Sequence, residues 1–133
     1  TGPGRFLLAL ARPGFLVYAV VLAYATHKPN LVIEGPVPRT DLFIHVAAFF
    51  VWTALLTLTR WTGPLTSRAA ILRAGVLGLV YAAVDETTQA IPGLNRVFGF
   101  DDMAANALGS MLASASALLL WARLRSARHA KPS

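Results

Sequence analysis

The chain has 133 residues, of which 56% are hydrophobic and only 14% are charged, and its mean hydropathy is +0.57. This composition is too apolar for a soluble domain of the same size and predicts an integral membrane protein. The formal charge of +6 does not indicate nucleic-acid binding, because the basic residues flank the apolar stretches instead of forming one patch.

Four apolar stretches are long enough to cross a membrane. A hydrocarbon core of roughly 30 Å requires about 20 helical residues, and the stretches lie near residues 13–28, 41–60, 69–90 and 102–122. Short polar segments join them. The sequence therefore predicts an all-α, up-down four-helix bundle that forms a single transmembrane domain over residues 1–133.

Residues 5–12 fit either an amphipathic turn along the inner surface or an extension of the first helix before Pro13. A start at Pro13 is favoured, because the first N–H groups of a helix have no intrahelical partner in any case. Pro29, Pro36 and Pro38 then indicate an irregular connection. The second span opens near Asp41, whose carboxylate can cap the helix. The connection and the cap together place the start of this span at about residue 41.

His45 follows Asp41 by one helical turn and therefore lies on the same helix face. A lone histidine within a membrane span requires a polar partner, and Asp41 and Glu86 are both candidates. His27 and His129, by contrast, are predicted to be solvated in a loop and a tail.

The third span ends with Asp85, Glu86 and Gln89. Adjacent residues are about 100° apart around a helix, so one carboxylate is expected to face the bundle and the other the headgroups. Either carboxylate can pair with Gln89, three or four positions later.

The fourth span opens at Asp102. Its predicted inward stripe is polar at one end and small throughout, and consists of Asp102, Asn106, Gly109, Ala113 and Ala117. Small side chains on a membrane helix favour the close approach of a neighbouring backbone.

The distribution of Lys and Arg predicts the orientation in the membrane. Of the twelve basic residues, only Lys28, Arg39 and Arg96 lie in the two connections that precede the second and fourth spans. The others lie in the terminal segments and around the middle connection: Arg5, Arg12, Arg60, Arg68, Arg73, Arg123, Arg125, Arg128 and Lys131. The positive-inside rule therefore predicts cytoplasmic N and C termini, with the polar residues on the extracytoplasmic side of a cell membrane.

Three ordered elements combine these polar residues: Asp41-x3-His45, then Asp85-Glu86-x2-Gln89, then Arg96-x5-Asp102-x3-Asn106-x2-Gly109. Together they resemble the pattern of the VanZ-like membrane proteins, over roughly residues 40–110. The resemblance implies a small membrane protein of the cell envelope that is associated with glycopeptide (teicoplanin) resistance. It implies no defined reaction.

Two functions fit these residues. In the first, a site open to the outer leaflet binds a membrane lipid, a lipid-linked envelope precursor or another lipophilic small molecule. The expected ligand-binding residues are Asp85, Gln89, Arg96, Asp102 and Asn106, and the planar guanidinium of Arg96 suits a phosphate or carboxylate. In the second, a membrane enzyme uses His45 with Asp41 or Glu86 for acid/base chemistry on a lipophilic substrate.

A purely structural role is an alternative to both functions. The pairs Asp102–Arg96, Glu86–His45 and Asn106–Gln89 would then tie the helix ends together, and proton or ion transport is a further alternative. One histidine at the site, in a chain without cysteine, disfavours a metal centre. No cofactor is predicted, and the sequence carries no sign of the oligomeric state.

Overall fold

A computed structural model describes residues 3–29 and 35–129. The side chains of Arg5 and His129, and the whole of Lys131, lie outside this description. The described part is all-α, with helices α1 (Pro3–His27), α2 (Thr40–Thr59), α3 (Arg68–Gln89) and α4 (Phe100–His129), and it contains no strand. The four predicted helices are therefore confirmed.

The predicted start of the first helix at Pro13 is wrong, because α1 begins at Pro3 and Pro13 lies inside it. The Leu- and Ala-rich segment before Pro13 has a high helix propensity. A proline within an apolar helix removes one backbone hydrogen bond without ending the helix. At its far end α4 continues seven residues beyond the predicted boundary, through Arg- and Ala-rich sequence that also favours a helix.

Three helices have the length and apolar composition needed to cross a membrane: α1 over Leu8–His27, α2, and α4 over Phe100–Arg128. Helix α3 has a similar length but carries Arg73 near its start and two carboxylates near its end. Large apolar side chains cover the outer surface; Val20, for example, is 69% exposed and Tyr24 is 71% exposed. An exposed apolar surface of this kind is typical of a protein that contacts lipid.

Helix α2 packs against all three other helices, and its contact with α4 is the most extensive. The core contains Phe49, which is fully buried, and Trp52, whose ring stacks on Tyr81 with centroids 4.7 Å apart. Helix α1 is attached to α2 partly through Tyr18, whose hydroxyl donates to the Ala48 carbonyl at 2.9 Å.

We call the middle of the α2–α4 contact the small-residue seam; it comprises Val46, Phe50 and Thr53 on α2 with Gly109 and Ser110 on α4. A Cβ atom at Gly109 would overlap the Val46 carbonyl oxygen and lie 2.9 Å from the Phe50 nitrogen. Thr53 donates to Ser110 at 3.1 Å, with both side chains fully buried. The small stripe predicted on the fourth helix therefore does allow close backbone approach.

Candidate functional site

The polar residues singled out in the sequence lie at the last turns of α3, the first turns of α2 and α4, and the loop before α4. We call this region the polar end; it comprises Thr26, His27, Asp41, His45, Asp85, Glu86, Gln89, Arg96, Asp102 and Asn106. Hydrogen bonds join the end of α1 to the end of α3, and the start of α2 to the start of α4. The structure thus brings the predicted site residues into one region.

Both carboxylates at the end of α3 are buried: Asp85 is 1% exposed and Glu86 is 0% exposed. The expectation that one of them faces the headgroups is therefore wrong. Helix α1 covers the Asp85 side of α3 through Thr26, and the loop before α4 covers the Glu86 side through Gly99. Two adjacent residues can both be buried because α3 has neighbours on both sides here.

Asp85 joins α3 to α1. Its Oδ1 accepts a hydrogen bond from the Thr26 hydroxyl at 2.8 Å, and its Oδ2 accepts from the Gln89 amide nitrogen at 3.0 Å. The Nδ1 atom of His27 lies 3.9 Å from Asp85 Oδ1. One of the two predicted pairings with Gln89 is thus confirmed, and it involves Asp85 and not Glu86.

His27 is not a solvated loop residue, as the sequence suggested, but the last residue of α1. Its Nδ1 is 2.9 Å from the Ala23 carbonyl oxygen, and its Nε2 is 2.8 Å from the Thr88 hydroxyl of α3. With Thr26, it forms the polar contact of α1 with the site. The sequence feature that could have identified His27 as a site residue is its position at a helix end, which also singled out the other residues.

Arg96 connects this cluster to a cavity. Its Nε donates to the Gln89 side-chain oxygen at 2.8 Å, which holds the loop against the end of α3. Arg96 also lines a cavity of about 80 Å³ together with Thr26 of α1 and His45 of α2. The remaining wall is apolar and is formed by Leu22, Ala25, Ile44, Ala48 and Phe49. A cavity of this size admits only a small part of a ligand, and an arginine held at one nitrogen beside it can contact an anionic group of that ligand.

His45 is buried, and its Nδ1 lies 2.8 Å from Asn106 Oδ1. Because an amide oxygen only accepts, Nδ1 donates in this pair, which leaves Nε2 as the acceptor of a neutral imidazole. The predicted orienting partners of His45 are therefore wrong. Asp41 bonds to Arg39, Glu86 bonds to Gly99, and the residue that orients the imidazole is Asn106.

Several buried polar atoms have no hydrogen-bond partner within residues 3–29 and 35–129. Three of them lie at the polar end, Glu86 Oε2, Asp102 Oδ1 and Asn106 Nδ2, and the other two are Trp52 Nε1 and Thr62 Oγ1. The other Glu86 oxygen accepts from the Gly99 backbone N–H at 2.7 Å, and a Cβ atom at Gly99 would lie 3.0 Å from an Asp102 oxygen. Glu86 and Asp102 thus lie beside the loop that enters α4, and Asn106 is one helical turn beyond Asp102. Burying such atoms without partners costs about 1–3 kcal/mol each, so they are poor choices for helix ties.

The rim of the polar end is an exposed ion-pair cluster around Arg39. Its guanidinium is 2.6 Å from Asp101, 3.4 Å from Asp41 and 3.9 Å from Asp102. The hydrogen bond to Asp101, followed by that to Asp41, raises the pKa of Arg39. Arg39, the N-cap residue of α2, has left-handed φ and ψ angles of 58° and 40°, and among the described residues no side chain caps the helix. Asp41 therefore belongs to the rim and is not the predicted cap.

The three predicted tying pairs are replaced by others. Arg96 pairs with Gln89 and not with Asp102, and Asn106 pairs with His45 and not with Gln89. In the described ranges no three His, Asp or Glu side chains are grouped so as to hold a metal ion. The polar end can therefore offer hydrogen bonds, a guanidinium and an imidazole to a ligand.

Comparisons of the chain with protein-family models, with curated proteins and with solved structures found no significant match. The resemblance to the VanZ-like proteins accordingly depends on the three sequence elements.

Proposed function

We propose that this chain is a VanZ-like protein of the cell envelope that binds an amphiphilic anion, a membrane lipid or lipid-linked envelope precursor, at its polar end. The observation that carries the proposal is the position of Arg96 at an apolar cavity beside His45 and Thr26. The anionic group of the ligand would contact the guanidinium, and its apolar part would lie along the cavity wall toward Ile44. The link to glycopeptide (teicoplanin) resistance comes from the resemblance.

The burial of unpartnered polar atoms supports binding over a purely structural role. Polar pairs between membrane helices contribute on average only about 0.6 kcal/mol, whereas Glu86 and Asn106 are fully buried and each has one atom without a partner among the described residues. A ligand with hydroxyl or amide groups could satisfy such atoms. Asp102 would also contact the ligand, at the edge of the polar end. Asp85 and Gln89 would hold Arg96 in place.

The proposal includes the topology: an up-down bundle of four spans, with both termini in the cytoplasm and the polar end open to the outer leaflet. The contacts that bring the ends of α1 and α3 together with the starts of α2 and α4 support the alternation. The distribution of Lys and Arg supports the sidedness. The charged residues of α3 lie near its two ends, where side chains can reach water or other polar groups.

Single cysteines test the sidedness, since the chain contains none. Val97, which is 86% exposed, lies in the loop before α4, and Thr66 is exposed in the loop before α3. We expect V97C to react with an impermeant thiol reagent on intact cells and T66C to react only after permeabilisation. The reverse labelling would rule out a site facing the outer leaflet.

Native mass spectrometry of the mildly extracted protein tests the binding. We expect wild type to retain an amphiphilic anion and R96Q to retain it about 10- to 100-fold less, since hydrogen bonds to charged groups contribute about 1.5–3 kcal/mol. R123Q is the matched control, because it removes one exposed positive charge outside the polar end. Equal retention by R96Q and R123Q would contradict the proposal.

A second function, acid/base catalysis on a lipophilic substrate, is favoured by one observation: His45 lines the cavity while Asn106 fixes its Nδ1 as the donor. The Nε2 atom is then the proton acceptor, and Asn106 takes the orienting place that the sequence assigned to Asp41 or Glu86. H45A separates the two functions. An enzyme would retain its ligand and lose turnover, whereas a binding protein would lose affinity and show no turnover with any envelope extract.

A further inference from the structure

A groove between α2 and α4 lies on the side of the small-residue seam away from the polar end. It has a volume of about 340 Å³, and residues that form its wall include Phe50, Ala54 and Leu58 of α2 and Ala117 and Leu120 of α4. Its volume falls within the range of about 300–1,000 Å³ that is typical of ligand pockets. The small residues on α4 leave space that longer apolar side chains would fill.

This groove continues into a second cavity of about 400 Å³ that is formed by Arg125 and Arg128 together with Thr66. Leu65, Trp121 and Leu124 line both spaces. The continuous space is therefore apolar along α2 and α4 and cationic at the end of α4.

The residues at the junction are held in place. The Trp121 indole N–H donates to the Thr66 carbonyl at 2.8 Å, which fixes the end of α4 against the loop before α3. The Arg125 guanidinium lies 5.4 Å from the centre of the Trp121 ring, within the range of a cation–π contact. Trp121 thus separates the apolar and cationic parts of the space, as an indole does at the level of lipid headgroups.

The sequence provides no carboxylate side chain for these cations. Residues 42–84 and 103–133 contain neither Asp nor Glu, so every acidic residue of the chain lies outside the segments that form the groove and its cationic end. Six arginines lie in those segments, around Trp61 and after Trp121: Arg60, Arg68, Arg73, Arg123, Arg125 and Arg128. An anionic ligand group can supply the charge that complements Arg125 and Arg128.

We propose that this space is a binding site for an anionic phospholipid, with an acyl chain in the α2–α4 groove and the phosphate between Arg125 and Arg128. The groove suits a chain and not a free anion, because its wall is apolar and continuous with the lipid-facing surface. The arginines suit a phosphate, because a guanidinium offers two parallel N–H donors to it. This site is distinct from the polar end and does not require Arg96.

Binding can be measured by native mass spectrometry of the whole chain in detergent, with phosphatidylglycerol and phosphatidylcholine of identical acyl chains as the probes. With every protein carrying R96Q, so that the polar end does not contribute, we expect the parent to bind phosphatidylglycerol about tenfold more tightly and R125Q/R128Q to bind the two lipids equally. The matched control is R68Q/R123Q, which removes two exposed charges outside the groove and should keep the preference. Equal losses in the two double variants would overturn the site in favour of general charge attraction.

The groove itself is tested by A117F, which fills it without changing any charge. We expect A117F to reduce phosphatidylglycerol binding about tenfold at an unchanged thermal midpoint; unchanged lipid binding would overturn the placement of the acyl chain. If A117F fails to fold, the smaller A117V serves in its place, with the same direction expected. R96Q should leave this lipid preference intact, so failure at one site is distinguishable from failure at the other.

Discussion

The small-residue seam and the polar end join the same helices by different means. At the seam, the α2 backbone lies so close to Gly109 that a single added carbon would overlap it, and the few polar groups there, such as Thr53 and Ser110, satisfy one another. At the polar end, fully buried groups such as Glu86 and Asn106 keep atoms without a partner in the described structure. The seam therefore contributes stability through shape, whereas the polar end carries more polar groups than stability requires.

The largest effect is expected at the seam. G109A should push α2 and α4 apart and destabilise the bundle by about 1–3 kcal/mol, the usual cost of overpacking, and should lower the thermal midpoint in detergent. G14A is the matched control, because a Cβ atom at Gly14 in α1 meets nothing within 4 Å and alanine has the higher helix propensity. Equal midpoints for the two variants would remove the distinction between the seam and the rest of the bundle.

A smaller effect is expected for the pair His45–Asn106. A double-mutant cycle of H45A, N106A and the double variant, measured as the free energy of unfolding, should give a coupling of about 0.6 kcal/mol, the average for polar pairs between membrane helices. Loss of the bound amphiphile should accompany each single variant. A coupling of several kcal/mol with ligand binding retained would mean that the pair stabilises the bundle, as the seam does, and is not part of a binding site.

The smallest effect is expected at the rim. R39Q removes the cation that contacts Asp41 and Asp101, but these groups are exposed, and exposed ion pairs are screened by water and salt. We expect no measurable change in the thermal midpoint at physiological ionic strength, with R123Q as the control. A large decrease would mean that the rim, and not the seam, stabilises this end of the bundle.

The helices could be predicted from sequence because each apolar stretch has the length of a span, and α2 and α3 begin and end within a residue of the predicted bounds. The start of α1 could not be predicted, because a proline inside a helix and a proline at its first position look the same in a sequence. Helix α4 extends to His129 because its last residues have a high helix propensity. The predicted end was based on the length of the apolar stretch, which does not include that propensity.

The position of the site could be predicted because ionisable residues at the ends of apolar helices are costly and therefore few. The hydrogen-bond partners of these residues could not be predicted. Pairing depends on how each helix is rotated about its axis and on the path of the loop that carries Arg96 and Gly99. The spacing along the sequence is equally compatible with Glu86 and with Asn106 as the partner of His45. Thr26 was missed because a threonine near a helix end carries no signal of its own.

The central claim is that the cavity beside Arg96 binds an amphiphilic anion. The most direct measurement is photocrosslinking in lipid nanodiscs with an anionic phospholipid analogue that carries its reactive group near the phosphate, followed by peptide mapping. We expect labels on residues 22–26 and 44–49 that are lost in R96Q and retained in R125Q/R128Q, and separate labels near Trp121 that are lost only in R125Q/R128Q. Labels spread evenly over the lipid-facing surface, or labelling of these residues that persists in R96Q, would contradict the claim.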